Sequence, residues 1–332
     1  MKPDAPVSPA VRRPKMPLAS SMTVNAILLA AFFLTPYLAG GSRGVLTTCI
    51  TIAIFAVMAY GVDLILSYLG EMSLGHVIFW AAGGYVTGYL TTQYGVGPLA
   101  TLAAVVLVSV AAALILGLIT LRAREFVFAL VTYAAAIVVH EIVFSTPALG
   151  ASDGIVGIPM LQFSFLGLDY AANTSWRLWP VAFGLLAITV YFVARFRQSR
   201  LGRMAMMVHM NPALATSMGI DVRVVRVAVF VLSAPITALA GWLYAYQRAY
   251  VGPDMFEGYF LLMMLSAVIL FGQRLLLGPL LGIAVIIIQQ NYLSFGGDVN
   301  KIIMGAILVS VLIFLPKGLA GSIPALVRRL RG

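Results

Sequence analysis

Apolar residues run along this chain in long blocks, each closed by a short cluster of glycine, proline or charge. Ten blocks stand out, at about 22–41, 45–66, 73–93, 98–120, 126–144, 176–194, 227–246, 257–273, 277–294 and 301–316. A helix rising about 1.5 Å per residue needs about 20 mostly apolar residues to cross a hydrocarbon core of roughly 30 Å. The blocks therefore predict an all-α polytopic membrane protein with about ten transmembrane helices. The Gly-rich third block has the composition of a broken or re-entrant helix, and few residues separate the two blocks around Gly272 to Pro279. Eight spans plus two half-helices is the alternative count.

Composition points the same way. Of 332 residues, 61% are hydrophobic and 10% charged, and the mean hydropathy of +1.01 exceeds what a water-facing surface carries. The net charge of +10 raises the question of nucleic acid, but the basic residues sit at the ends and in short loops, not in a stripe interleaved with aromatics. They read instead as topology signals. With the N-terminus inside, only Arg43, Arg177, Arg248 and Lys301 of the 21 basic residues fall outside, which predicts two cytoplasmic termini. The expected organisation is a cytoplasmic tail over 1–21, a membrane domain over 22–316 and a second cytoplasmic tail over 317–332. The first block reads as an uncleaved span because it is long and many spans follow. The single cysteine, Cys49, excludes an intrachain disulfide and a cysteine-based zinc cluster.

Two connections exceed ordinary turn length and fall on opposite faces. The outer one, about 145–175, is rich in Gly, Ser and Pro; the cytoplasmic one, about 195–226, carries six arginines. Within the latter, Asn211-Pro212 reads as a helix cap and first turn, and Gly219 as the stop of a short helix. A small helix with apolar knobs among arginines suits docking into a groove on a partner; a surface helix resting on lipid headgroups is the alternative.

Candidate chemistry is sparse. No phosphate-binding loop or H-E-x-x-H motif occurs, and His76, His140 and His209 lie far apart, so an enzyme reading has little to rest on. Ionisable residues within the blocks are Asp63, His140, Glu141 and Glu257, none of them an acid placed mid-membrane, which gives an ion-coupled relay little support. The segment 67–92 mixes Gly70, Gly75, Gly83, Gly84 and Gly88 with Ser73, His76, Trp80 and Tyr85. Gly84 and Gly88 are spaced for close helix approach, and Gly70 to Ser73 can end one helix and begin another beside a polar cavity.

These residues resemble a family, the M-type permease subunit of branched-chain amino acid ABC importers, from about residue 45 to 320. The most specific piece is Gly70-x-x-Ser73-Leu74-Gly75-His76-x-x-Phe79-x-x-x-Gly83-x-Tyr85. Leu121 to Arg124 with Phe128 to Thr132, Ser152 to Pro159, Ser199 to Gly202, Met218 to Ile220, Ala240 to Ala245 and Gly278-Pro279-x-x-Gly282 agree in order. The resemblance implies a translocation subunit for branched-chain or related small amino acids, with urea, amides or sugars as other solutes and an ion-coupled transporter as the alternative class. It implies a second related permease, two ATPases that hold ATP and Mg on their own chains, and a periplasmic solute-binding protein, all at a bacterial inner membrane. No cofactor or metal is expected on this chain. Ser73, Gly75, His76, Phe79 and Tyr85 are then expected near the translocation route; Arg203, Asn211, Ala213, Ala215 and Gly219 at the ATPase; Ser152, Asp153 and Gly154 toward the binding protein. The chain departs from the family pattern at Asn211 to Gly219, which lacks acids, and at Phe271 and Arg274, which are bulky where relatives have small residues.

Overall fold

The computed structural model describes residues 18–120, 125–165 and 168–292, with isolated positions between 299 and 310. In chain order its helices are α1 (Leu18–Leu38), α2 (Arg43–Tyr68), α3 (His76–Tyr94), α4 (Pro98–Ile119), α5 (Glu125–Ser145), α6 (Ser175–Gln198), α7 (Arg200–Met210), α8 (Pro212–Ser217), α9 (Val222–Arg248), α10 (Gly258–Phe271) and α11 (Gly278–Tyr292). Nine of the ten predicted blocks coincide with a helix. The tenth is described only at isolated positions, and the segment 121–124, residues 1–17 and the tail 317–332 lie outside the described residues.

Among the described residues, α2, α4, α5, α6 and α9 are long and apolar enough to cross a bilayer. α10, of 14 residues, reaches about 21 Å at the helical rise, short of a full crossing. It packs with α11 as a hairpin in which Gly282 lies against the Ala267 carbonyl.

α2 is the hub. Fully 94% of its apolar window is buried, beneath α3, α6, α9, α10 and α11, as expected of a helix that is hydrophobic on every side. α4 and α5 are peripheral, with 22% and 28% of their windows buried. They turn Leu107, Ile115, Leu118, Ile137 and Val138 outward, an apolar surface suited to lipid or a further apolar subunit.

Small residues let the inner helices meet backbone to backbone. A Cβ at Gly83 would lie 1.9 Å from the Ala238 carbonyl oxygen, and one at Gly241 2.0 Å from that of Trp80, so α3 and α9 approach as small-residue interfaces in lipid do. Gly84 and Gly88 do something else. They face Val251, with Met255 against Gly84 and Ile158 against Gly88; Gly84 receives the segment that leaves α9, and Gly88 that segment and the long outer connection together. One residue rotates a helix by about 100°, which puts Gly83 on the helix-facing side and Gly84 off it.

The connections sort to two ends. Residues 69–75, 199–221 and 272–277 meet at one, which carries Arg195, Arg197, Arg200, Arg203, Arg223, Arg226 and Arg274; 39–42, 146–174 and 249–257 meet at the other, with Arg43, Arg177 and Arg248. At that second end the fold departs from a purely helical one. β1 (Ile155–Val156) pairs antiparallel with β4 (Tyr250–Val251), and β2 (Gln162–Phe165) with β3 (Leu168–Ala171). A connection this long carries backbone groups that need partners, and the chain leaving α9 supplies them.

Candidate functional site

Three groups of residues gather the sequence-predicted positions. The first is the break between α2 and α3. α2 ends at Tyr68, and the chain runs without helix to Gly75 before α3 begins at His76. Leu74 N–H donates to Thr132 Oγ1 at 3.2 Å, and a Cβ on Gly75 would lie 2.9 Å from Thr132, so the break is seated on α5.

His76 bridges this break to α9. Its Nδ1 is 2.8 Å from Ser73 Oγ and its Nε2 3.0 Å from Ser233 Oγ. Ser233 already donates its one hydroxyl hydrogen to the Phe230 carbonyl at 2.7 Å, so it can only accept from His76. Nε2 therefore carries the hydrogen, and Ser73 donates to Nδ1. The edges of Phe79 and Phe230 enclose the ring. Ser73, Gly75, His76 and Phe79 are wholly enclosed within the subunit, and Tyr85 nearly so, its ring beside Phe256. Ser233 and Thr132, which complete this bridge, were not singled out for it from sequence; each lies in another helix, and no local pattern links them to His76.

Two further contacts tie the same break down. Arg226 Nε meets Glu71 Oε1 at 2.7 Å with both side chains largely buried. Gly70, at φ +71°, lies against the His209 ring of α7, where a Cβ would come within 1.9 Å of Nδ1. Nearby, Ser67 donates to Asp63 at 2.5 Å, and the Arg274 backbone N–H and Nε reach Ser67 at 3.2 Å each. Arg274 and Ser67 thus hold the 272–277 connection to the C-terminal turn of α2. That is where a basic side chain complements the helix end.

The second group is the tip formed by α7 and α8. Asn211 caps α8, its Oδ1 accepting from Leu214 N–H at 3.0 Å, with Pro212 in the first turn. Gly219 closes it at φ +80° while Ile220 N–H returns to the Ala215 carbonyl at 3.0 Å. Arg203, Asn211, Ala213 and Gly219 are exposed, and Arg203 donates to the Gln198 carbonyl at the corner from α6. Ala215 is 1% exposed, its side chain turned inward where α8 folds back on α7. The apolar knobs are Met210, Leu214 and Met218, at 76%, 58% and 62% exposure.

The third group lies at the opposite end. Ser152 and Asp153 are exposed in a 3₁₀ turn, joined by a 3.3 Å side-chain hydrogen bond. Gly154, at φ +70°, passes so close to β4 that a Cβ would sit 2.3 Å from the Val251 carbonyl oxygen. At the same end a cavity of about 550 Å³ lies between α2, α9, α10 and α11, bordered by Arg248, Asp254 and Glu257 among aromatic rings. Burial and the neighbouring Glu257 raise the Asp254 carboxyl above its ordinary pKa. A smaller cavity of about 240 Å³ lies beside His140, Phe256 and Glu257. In the sequence Glu257 is one of the ionisable residues within the apolar blocks and Arg248 one of four outer basic residues, with no local pattern that joins them. Among the described residues, no cluster of three or more metal-ligating side chains occurs.

Residues 44–312 match the profile of a family described as "Branched-chain amino acid transport system / permease component". The high-affinity branched-chain amino acid transport system permease protein LivM of Escherichia coli is 25% identical over 298 residues, covering 84% of this chain and 70% of the relative. The protein of the same name from Salmonella typhimurium is 25% identical over the same shares. No solved structure matches.

Proposed function

Since the chain belongs to the branched-chain amino acid transport permease family, we propose that it is the translocation subunit of an ATP-driven importer for branched-chain or related small amino acids. The observation that carries this reading is the family match across 44–312, which takes in the whole described bundle from α2 onward. In this reading the protein works in a bacterial inner membrane beside a second, related permease. Two ATPases bind ATP and Mg at the cytoplasmic face, and a periplasmic protein delivers the solute.

The Arg-rich end bearing α7 and α8 is the cytoplasmic one, in line with the bias of basic residues toward that side. There Arg203, Asn211, Ala213 and Gly219 frame the tip, and Leu214 and Met218 enter a groove on an ATPase. The bridge from Gly70 through Glu71 and Ser73 to His76 links that tip to the core. Gly75, Phe79 and Tyr85 form the packed wall beside the route, and Ser152, Asp153 and Gly154 face the binding protein.

The test is isolation of the assembly from native membranes through a tag on this chain. Recovery with a second permease and an ATP-binding subunit of phosphate-loop sequence supports the proposal. Recovery of this chain alone, active in uptake, overturns it.

A further inference from the structure

The cavity of about 550 Å³ at the end opposite α7 and α8 falls within the roughly 300–1,000 Å³ of small-ligand sites. Its rim carries charges of both signs. Arg248, the last residue of α9, supplies a fixed cation; Asp254 and Glu257, across the turn into α10, supply two carboxylates on the same rim. Phe55, Tyr244 and Phe260 furnish an aromatic wall, their rings 5.8–6.4 Å apart.

The geometry points to this cavity as a binding site for a zwitterionic α-amino acid with an apolar side chain, its carboxylate held by Arg248, its ammonium by Asp254 and Glu257, and its side chain on Phe55 and Phe260. This deepens the transport reading and rests on it for the class of solute.

Three observations support the assignment. An arginine presents a planar fork of donors matched to a carboxylate. The guanidinium of Arg248 lies 5.8 Å from the centre of the Tyr244 ring, a position that holds it at the cavity edge. Burial, chiefly, and then the Glu257 charge raise the Asp254 carboxyl while Arg248 pulls the other way; an ammonium beside the carboxylates favours their charged forms. Gln247 Nε2 donates to Thr51 at 3.1 Å and Tyr259 O–H to Gln290 at 2.8 Å, and these pairs shape the cavity wall. A neutral sugar or urea makes no use of paired opposite charges.

The experiment measures binding to the full purified chain in lipid nanodiscs, using leucine, isopentylamine, which lacks the carboxylate, and 4-methylpentanoate, which lacks the ammonium. Arg248→Gln is expected to weaken leucine at least tenfold, to the level of isopentylamine, and to leave isopentylamine unchanged. Asp254→Asn with Glu257→Gln is expected to bring leucine to the level of 4-methylpentanoate and leave that ligand unchanged. A damaged fold loses all three ligands together, so this split separates a binding role from a structural one. Absence of leucine binding to the wild-type chain, equal binding by variants and wild type, or parallel loss of all three ligands overturns the assignment. ATP-driven leucine uptake at wild-type rates by an assembly carrying Arg248→Gln overturns it while leaving the transport reading in place. Uptake that needs no ATPase overturns the transport reading and leaves the binding split standing.

Discussion

Gly70 presses against the imidazole of His209: a Cβ at Gly70 would lie 1.9 Å from the ring nitrogen Nδ1, and the backbone there is already in the left-handed region at φ +71°. This contact joins the α2–α3 break to α7, and through Glu71, Ser73 and His76 the same seven-residue stretch reaches α9. The tip that bears α8 and the buried core are therefore mechanically continuous.

Gly70→Ala meets two obstacles, the ring and the backbone. Left-handed backbone costs a non-glycine residue roughly 1–2 kcal/mol, and the overlap adds to it. Adding His209→Ala removes the overlap alone. In thermal unfolding of the detergent-solubilised chain, the double variant is expected to recover part of the loss, and full recovery would show that φ at Gly70 is not constrained.

The pair Glu71–Arg226 is the salt bridge found among the described residues, with side chains 4% and 15% exposed. Arg226→Met leaves Glu71 buried without its cation, which costs about 3 kcal/mol or more. Glu71→Met with Arg226→Met removes both charges and is expected to regain most of that stability. Similar melting temperatures for the single and double variants would contradict this coupling.

At the tip, the exposed and buried faces of α8 separate docking from folding. Leu214→Arg and Met218→Arg are expected to abolish retention of an ATPase while leaving the melting temperature within about 1 °C, since exposed substitutions rarely cost more than 0.5 kcal/mol. Ala215→Arg buries a charge and lowers the melting temperature of the chain itself. Retained ATPase in the Leu214→Arg chain would contradict docking through this face.

Asp254 gives stability a pH dependence. Burial, chiefly, and then Glu257 raise its pKa above 3.8, so the folded chain holds this proton more tightly than the unfolded one. The resulting stabilisation is complete below the unfolded value and is lost as pH rises through the raised folded value. Asp254→Asn is expected to flatten that decline in a series of melts starting just above pH 3.8 and to leave the chain more stable than wild type at neutral pH. An unchanged slope would show that the carboxyl is not perturbed.

Nine helices were legible in the sequence because a bilayer imposes a length on apolar runs, and Asn211-Pro212 with Gly219 marked α8 because caps are local signals. α7 was not distinguished: only Gly202, Ala205 and Val208 of its residues are buried, a narrow apolar stripe among arginine, histidine and methionine. Ala215 appeared as one small residue among several in α8, and only the fold of α8 against α7 decides which way it points. The His76 bridge was half visible. Ser73 lies beside it in sequence, whereas Ser233 lies 157 residues away and is brought near by close packing of α9. The same holds for the cavity at the other end, whose Arg248, Asp254 and Glu257 are near in sequence but owe their common wall to α2, α10 and α11. Arg274, bulky where a small residue was expected, is accounted for by its contact with the end of α2.

The most direct test of the transport reading is leucine uptake into proteoliposomes that contain this chain with its second permease and ATPases, with the binding protein supplied on the periplasmic side. ATP and Mg are given to the ATPase side. The expected result is accumulation that requires ATP and every partner, and no flux with this chain alone; full-rate leucine movement by the chain alone, down its gradient or with protons, would contradict it.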